Sequence, residues 1–250
     1  MGRSRHGHAD PRAGTSLAFP AVSDLIRIGG RWCSTTEAEG WITEYFSPEN
    51  PTSPKPYAHP AYDAYDSGSG PSELNDGDLL APALLNAAPT MRAFYSLQRV
   101  RPQLAEALRR IPVELTLQDA VATGVMPALL GDLAAVLDAS PRPPGVWLTT
   151  LFKVLHRKRP MLVPLYDQFV GACYLGDGDA FPVHRVRTRS WRDYAVAVAA
   201  AVSDDLSTQE AAFAELHRLA PQVTALRLLD VLAWKVGRRA PQDDVAAMPD

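Results

Sequence analysis

The 250-residue sequence is poor in the features that usually announce a function class. It has two cysteines, Cys33 and Cys173. Two lone thiols make neither a disulfide framework nor a thiolate zinc site, and they fit a reducing, cytoplasmic compartment. No uninterrupted apolar run approaches the ~18 residues of a membrane span. The opening MGRSRHGHADPRAG has no apolar core of a secretory signal, so no leader and no membrane partner are expected. The histidines His6, His8, His59, His156, His184 and His217 fall at no metal-ligand spacing. NDGD lacks the glutamate and spacing of a calcium loop, and there is no nucleophilic-serine elbow, no glycine-rich phosphate loop and no internal repeat. No metal or organic cofactor is therefore expected.

What is present is a well-mixed globular composition, 46% hydrophobic and 21% charged, enough to build a core. Residues 1–20, rich in Gly, Arg, His and Pro, read as a disordered tail, as do 241–250. Residues 21–74 read as one short helix, TTEAEGWITEYF, capped by Thr35 or Thr36, followed by a long loop with six prolines between Ser47 and Pro71. From 75 to 240 the pattern is helical: a helix capped by Asp76, one through RAFYSLQRVRPQLAEALRRI with Pro102 as a break or kink, and one over 117–137 with Pro127 as a break. Further helices are predicted over 146–156, 166–174, 191–206, 208–219 and 224–236. No pair of alternating runs joined by a hairpin turn stands out, so sheet content should be low. The expected fold class is all-α with an irregular, proline-rich N-terminal extension.

Charge is unevenly spread. Between Arg142 and Arg192 nine Lys/Arg oppose three Asp, in a chain whose net charge is -3. A basic zone on an acidic body can direct an anionic partner to one face, although a solvated surface is the plainer reading of any single run.

The most informative stretch is LAAVLDASPRPPGVWLTTLFKVLHRKRPMLVPLYDQFV, residues 133–170. It predicts a helix, a proline-rich turn, a helix opened by Gly145, a short extended link bracketed by Pro160 and Pro164, and a helix headed by Asp167. Glycine at a helix mouth lets a phosphate approach the free N–H groups there. Asp167 beside a helix N-terminus should stay ionised. A carboxylate next to a phosphate-binding turn suits cleavage of an N-glycosidic bond, because the sugar develops positive charge as the base leaves.

This segment resembles the catalytic helix-hairpin-helix of the DNA glycosylase superfamily. Pro143-Pro144-Gly145-Val146-Trp147 is similar to the family's Leu-Pro-Gly-Val-Gly, Thr150-Leu151 stands at its Thr-Ala, and VPLYD is similar to the segment ending in its catalytic aspartate. Trp147 and Asp167 are 20 residues apart, as in typical members. The resemblance covers about 35 residues closely, and the KVLHRKRP and VPLYD stretches also resemble uncharacterised actinobacterial proteins. It implies a helical DNA-binding protein in which Asp167 stabilises an oxocarbenium ion. Gly145, Val146 and Trp147 would then offer backbone contacts to phosphate, and a monovalent cation could sit at the hairpin. Trp147 replaces the second hairpin glycine and Pro143 the leading leucine. Thr149 stands where lyase-type members carry lysine, so the resemblance implies a monofunctional N-glycosylase. A non-catalytic binding protein and an enzyme of a small nucleoside-like metabolite are the alternatives.

Each residue also has a plainer reading. Asp167 can be a helix cap or a partner of Arg157 or Arg159. Lys153 can be an amine nucleophile, but more often such a lysine snorkels from a helix face. Arg157, Lys158 and Arg159 can bind DNA phosphates or be solvated. Arg185, Arg187 and Arg189 alternate with other residues and, if extended, would project to one side, toward DNA or toward carboxylates. Tyr62, Tyr65 and Asp66 can form a pocket for a cation or a flipped base, or simply an ordered loop covering the core. Asp230, inside the apolar LRLLDVLAW, calls for a partner such as Arg227.

Overall fold

Side-chain caps mark most helix starts, and two of them, Ser34 and Asn75, lie one residue before the position the sequence suggests. The computed structural model describes residues 24–47 and 59–241. The expected N-terminal tail, the C-terminal tail from 242 on and the proline-rich residues 48–58 lie outside the described residues. Helix α1 (Thr35–Phe46) is capped by Ser34, whose hydroxyl accepts from Glu37 N–H while the Glu37 carboxylate takes the Ser34 N–H. Helix α2 (His59–Ala64) is short. Helix α3 (Asp76–Leu80) is capped not by Asp76 but by Asn75, with Asp78 completing the reciprocal pair.

Helix α4 (Met91–Arg109) runs through Pro102 without ending. Pro102 is on the exposed side, where water can serve the carbonyl that the ring leaves without a donor. The segment predicted as a single helix over 117–137 is two, α5 (Leu117–Ala122) and α6 (Met126–Ala134). The break is a turn at Thr123-Gly124-Val125 before Pro127, which then serves at the start of α6. Helices α7 (Leu148–His156), α8 (Gln168–Tyr174), α9 (Trp191–Thr208), α10 (Glu210–Leu219) and α11 (Ala225–Gly237) complete eleven among the described residues.

Sheet content is low, but a hairpin exists that the sequence reading passed over. Strands β1 (Leu25–Ile28) and β2 (Arg31–Ser34) pair antiparallel through a two-residue Gly29-Gly30 turn. Each strand has only four residues, too short for alternation to stand out. A two-residue parallel pair, β3 (Leu175–Gly176) and β4 (Val183–His184), follows α8.

Helix α11 is the axis. Nine of its residues are buried, and α8 and α1 pack along it. Helices α5 and α6 pack on α9. One core runs through all of them, from Ile42 and Leu97 to Phe152, Val170 and Leu232. Gly237 lets α8 approach α11 closely, since a Cβ there would lie 2.1 Å from the Phe169 carbonyl oxygen. That close approach sets the start of α8, and with it Asp167, over the C-terminal half of α11. Among the described residues no helix is long and apolar enough to cross a membrane, and no group of three or more His, Cys, Asp or Glu could hold a metal ion.

Candidate active-site cleft

The turn before α7 is packed rather than open. Gly145 has φ +76°, and its backbone lies against the first turn of α4, where an added Cβ would sit 3.2 Å from Ala93 N. Val146 is buried, and its N–H closes the turn onto the Pro143 carbonyl at 3.2 Å. Trp147 follows in extended conformation and gives α7 no side-chain cap, so among the described residues the first N–H groups of that helix have no capping side chain. The Trp147 ring carries the Arg142 guanidinium at 3.6 Å on one side and meets Trp191 edge-on.

Asp167 caps α8. Its Oδ1 accepts from Phe169 N–H at 2.9 Å and Val170 N–H at 3.0 Å. Its Oδ2 lies 3.9 Å from Lys153 Nζ, one turn along α7 from Thr149. Lys153 is buried, and its carbonyl accepts from the Tyr62 hydroxyl at 2.5 Å. The expected snorkelling lysine is thus an inward one, and the partner of Asp167 is Lys153 rather than Arg157 or Arg159.

A cleft of about 590 Å³ opens over this pair. Trp147, Tyr166, Phe169 and Trp234 supply its aromatic walls, and Thr149, Thr150 and Arg238 its polar rim. A deeper annex of about 40 Å³ shares Lys153, Asp167 and Trp234 with the cleft and adds Tyr45, Arg227 and Asp230. Two helical stripes at i, i+4 spacing line the cleft and its annex: Thr149 and Lys153 on α7, and Asp230 and Trp234 on α11, continued by Arg238 at its C-cap.

Arg227 organises the back of the annex. Its guanidinium binds Asp63 at 2.8 and 3.2 Å, the Tyr45 hydroxyl at 2.8 Å and Asp230 Oδ2. Asp230 pairs with Arg227, as the sequence suggested. Burial pushes its carboxyl up to about 6; Arg227 pulls the other way and Asp167 adds to the rise. His156 is fully buried with Nδ1 2.7 Å from the Val163 carbonyl, and burial pushes its imidazole down to about 4.

Several expected DNA contacts are turned inward. Arg159, 1% exposed, donates to the carbonyls of Ile111, Leu108, Pro71 and Lys158 and to the Ser72 hydroxyl. Lys158 is buried against Asp78 at 2.9 Å and Ser69 at 2.6 Å. Burial alone would raise the Asp78 carboxyl; hydrogen bonds from Ser69, Asn75 and Lys158 outweigh it and lower it. Arg157 donates to the Tyr62 carbonyl and lies over the Tyr62 and Tyr65 rings. The KRP run therefore pins the 62–72 loop to the core instead of meeting phosphate. A polar loop without a core of its own needs such internal donors for its carbonyls.

Val146 is likewise withdrawn from phosphate by its own turn. Tyr62 is buried and stacked on His156, and Asp66 closes a turn with Gly68 N–H at 2.8 Å, so Tyr62, Tyr65 and Asp66 do not line the cleft. The 184–192 run is not extended: it turns at Arg187-Thr188, with Arg189 N–H on the Val186 carbonyl. Arg187 is exposed and Arg185 and Arg189 half-buried, the last two acting electrostatically on the paired hydroxyls of Tyr166 and Tyr194. The structure brings together Trp147, Lys153 and Asp167. Sequence reasoning missed Tyr166, Phe169, Trp234 and Arg238. The signal for the last two was their spacing from Asp230, four and eight residues on.

A family model described as "Family of unknown function (DUF6308)" matches residues 38–237, from α1 to the end of α11. The chain belongs to this family. Trp147, Lys153, Asp167, Asp230 and Trp234 all fall inside the matched region, and Arg238 of the cleft's rim lies just beyond it. No curated protein and no solved structure matches the chain.

Proposed function

We propose that this protein is a helix-hairpin-helix, glycosylase-like enzyme that hydrolyses an N-glycosidic bond in the cleft, with Asp167 as its catalytic carboxylate. One observation carries the reading: Asp167 Oδ1 is pinned by two backbone N–H groups of α8, while Oδ2 is turned to the cleft beside Lys153. A carboxylate so held needs little reorganisation when positive charge develops on a sugar near Oδ2. The aromatic walls suit a base extruded from a stack. The α6–turn–α7–α8 order agrees with the resemblance, in which the turn precedes the helix and the aspartate heads the next one.

DNA phosphates would be met by Arg142, Arg185, Arg187, Arg189 and Arg238 rather than by the KRP run. Thr149 stands at the position of the lyase lysine, and the resemblance implies base release without strand cleavage. A smaller, nucleoside-like substrate is the second reading. It is favoured by the burial of Lys158 and Arg159, which removes two of the expected phosphate contacts.

The test offers wild type and Asp167→Asn a panel of oligonucleotides with damaged bases, and the corresponding free nucleosides, and measures released base. Release from duplex that weakens steeply with salt supports the DNA reading. Release from nucleosides alone supports the second. Equal release by both proteins removes Asp167 from the chemistry. Strand nicking that borohydride traps on Lys153 would make Lys153 the nucleophile.

A further inference from the structure

The annex holds three carboxyls, Asp63, Asp167 and Asp230, and two cations, Arg227 and Lys153, in or against it. Arg227 grips Asp63 through two nitrogens, and Lys153 faces Asp167. Asp230 receives only the remaining Arg227 nitrogen, on Oδ2. Among the described residues Oδ1 has no hydrogen-bond partner, on a residue that lines the annex next to Asp167 and Lys153. Two cations cannot balance three carboxylates in this partly buried site, so one carboxyl is best kept neutral. Asp63 takes two Arg227 nitrogens and Asp167 two backbone N–H groups, whereas Asp230 has a single donor, on a cation it shares with Asp63.

The groups facing Asp230 come from five elements: Arg227 on its own helix, Tyr45 on α1, Tyr62 and Asp63 on α2, Lys153 on α7 and Asp167 at the head of α8. Of these, Asp63 and Asp167 favour its neutral form, and Arg227 and Lys153 oppose it. Burial tips the balance, which agrees with the rise of its carboxyl to about 6.

We infer that Asp230 is a second catalytic residue of the cleft, the general acid that protonates the departing base. The inference rests on the N-glycosidic reading above. In the step, the C1′–N bond breaks and its electron pair leaves with the base. The Oδ1 proton of Asp230 goes to a basic atom of that base. Water then adds to C1′ beside Asp167, and the proton it sheds returns to the Asp230 carboxylate. The products are a sugar hydroxyl and a neutral base, and Asp230 is restored. The division of labour is between one carboxyl held as an anion stabiliser and one held as an acid.

The test compares two purines that differ in their need for a proton. Hypoxanthine leaves well only when protonated; 7-methylguanine already carries a positive charge and leaves without one. Each is offered in a duplex oligonucleotide and as the free nucleoside, to wild type, Asp230→Asn and Asp167→Asn. With wild type, hypoxanthine release should fall as pH rises through about 6, whereas 7-methylguanine release should stay flat. Asp230→Asn should slow hypoxanthine release on the order of 100-fold and change 7-methylguanine release by less than about threefold. Asp167→Asn should slow both. If Asp230→Asn slows both bases alike or neither, or if the two wild-type pH profiles coincide, Asp230 is not the acid while the N-glycosidic reading stands. The wild-type comparison needs no variant to fold. If wild type releases neither base from either form, Asp230 is not the acid for a departing purine and this inference falls; the N-glycosidic reading falls with it only if no base of the wider panel is released.

Discussion

Lys153 and Asp167 meet at the floor of the cleft, Nζ to Oδ2 at 3.9 Å, although they come from different helices and lie fourteen positions apart in sequence. The pair is close enough for Coulomb attraction but too long for a hydrogen bond. Removing the charge with Lys153→Met should therefore cost little stability, since the stem stays packed, but should weaken binding of anionic ligands in the cleft. Chemical denaturation and ligand titration check this. A loss of several kcal/mol with unchanged binding would make Lys153 a structural residue.

Lys158 and Arg159 should behave as parts of the core. Lys158→Ala leaves Asp78 buried without its cation, a loss of about 3–5 kcal/mol. Arg159→Ala removes a donor from four carbonyls, of which that of Leu108 keeps Ile111 N–H, and should be at least as costly. Urea melts measure both. If the protein binds DNA, the salt slope should be unchanged in any variant of these two that still folds, because neither side chain reaches a phosphate.

Gly145→Ala combines a left-handed φ of +76° with a Cβ 3.2 Å from Ala93 N. It should destabilise by about 1–2 kcal/mol and shift the start of α7, and with it Trp147 and Thr149. A melt within 0.3 kcal/mol of wild type would mean that the turn is not held against α4.

Asp230 gives a pH signature of stability. Its carboxyl is raised to about 6 in the fold from an ordinary 3.8, so the folded state holds a proton that the unfolded state releases. That contribution is complete below about pH 4 and is lost as pH rises through about 6. Asp230→Asn keeps the shape of the protonated form and cannot lose a proton. Its stability relative to wild type should rise between pH 4 and pH 7. Parallel stability curves across that window would show that Asp230 is charged throughout.

Much of the helical frame was legible because its signals are local. Caps and hydrophobic periodicity located α1, α4 and α7 to α11 within two or three residues. The Gly29-Gly30 hairpin escaped because four-residue strands carry too little alternation to register. Gly124 was overlooked as the break between α5 and α6 because Pro127, three residues on, is the more conspicuous punctuation. In the cleft, Asp167 and Trp147 were found because they belong to one contiguous segment. Trp234 and Arg238 were not, because only tertiary packing against Gly237 brings α11 under α8. The fate of Lys158 and Arg159 was illegible for another reason. A basic run looks solvated until the proline-rich loop it anchors is in place, and that loop's carbonyls are the acceptors that draw the cations inward.

In the proposed reaction Asp167 acts by its charge and not merely as a helix cap. Asn can cap α8 as Asp does, whereas Ala cannot and should cost about 1 kcal/mol. The decisive measurement is single-turnover release of free base by wild type and Asp167→Asn on the best substrate of the panel, with both proteins matched in stability. Release by Asp167→Asn should fall by roughly 100-fold or more, from the loss of one preorganised electrostatic contact. Release at the wild-type rate by a folded Asp167→Asn protein would contradict it.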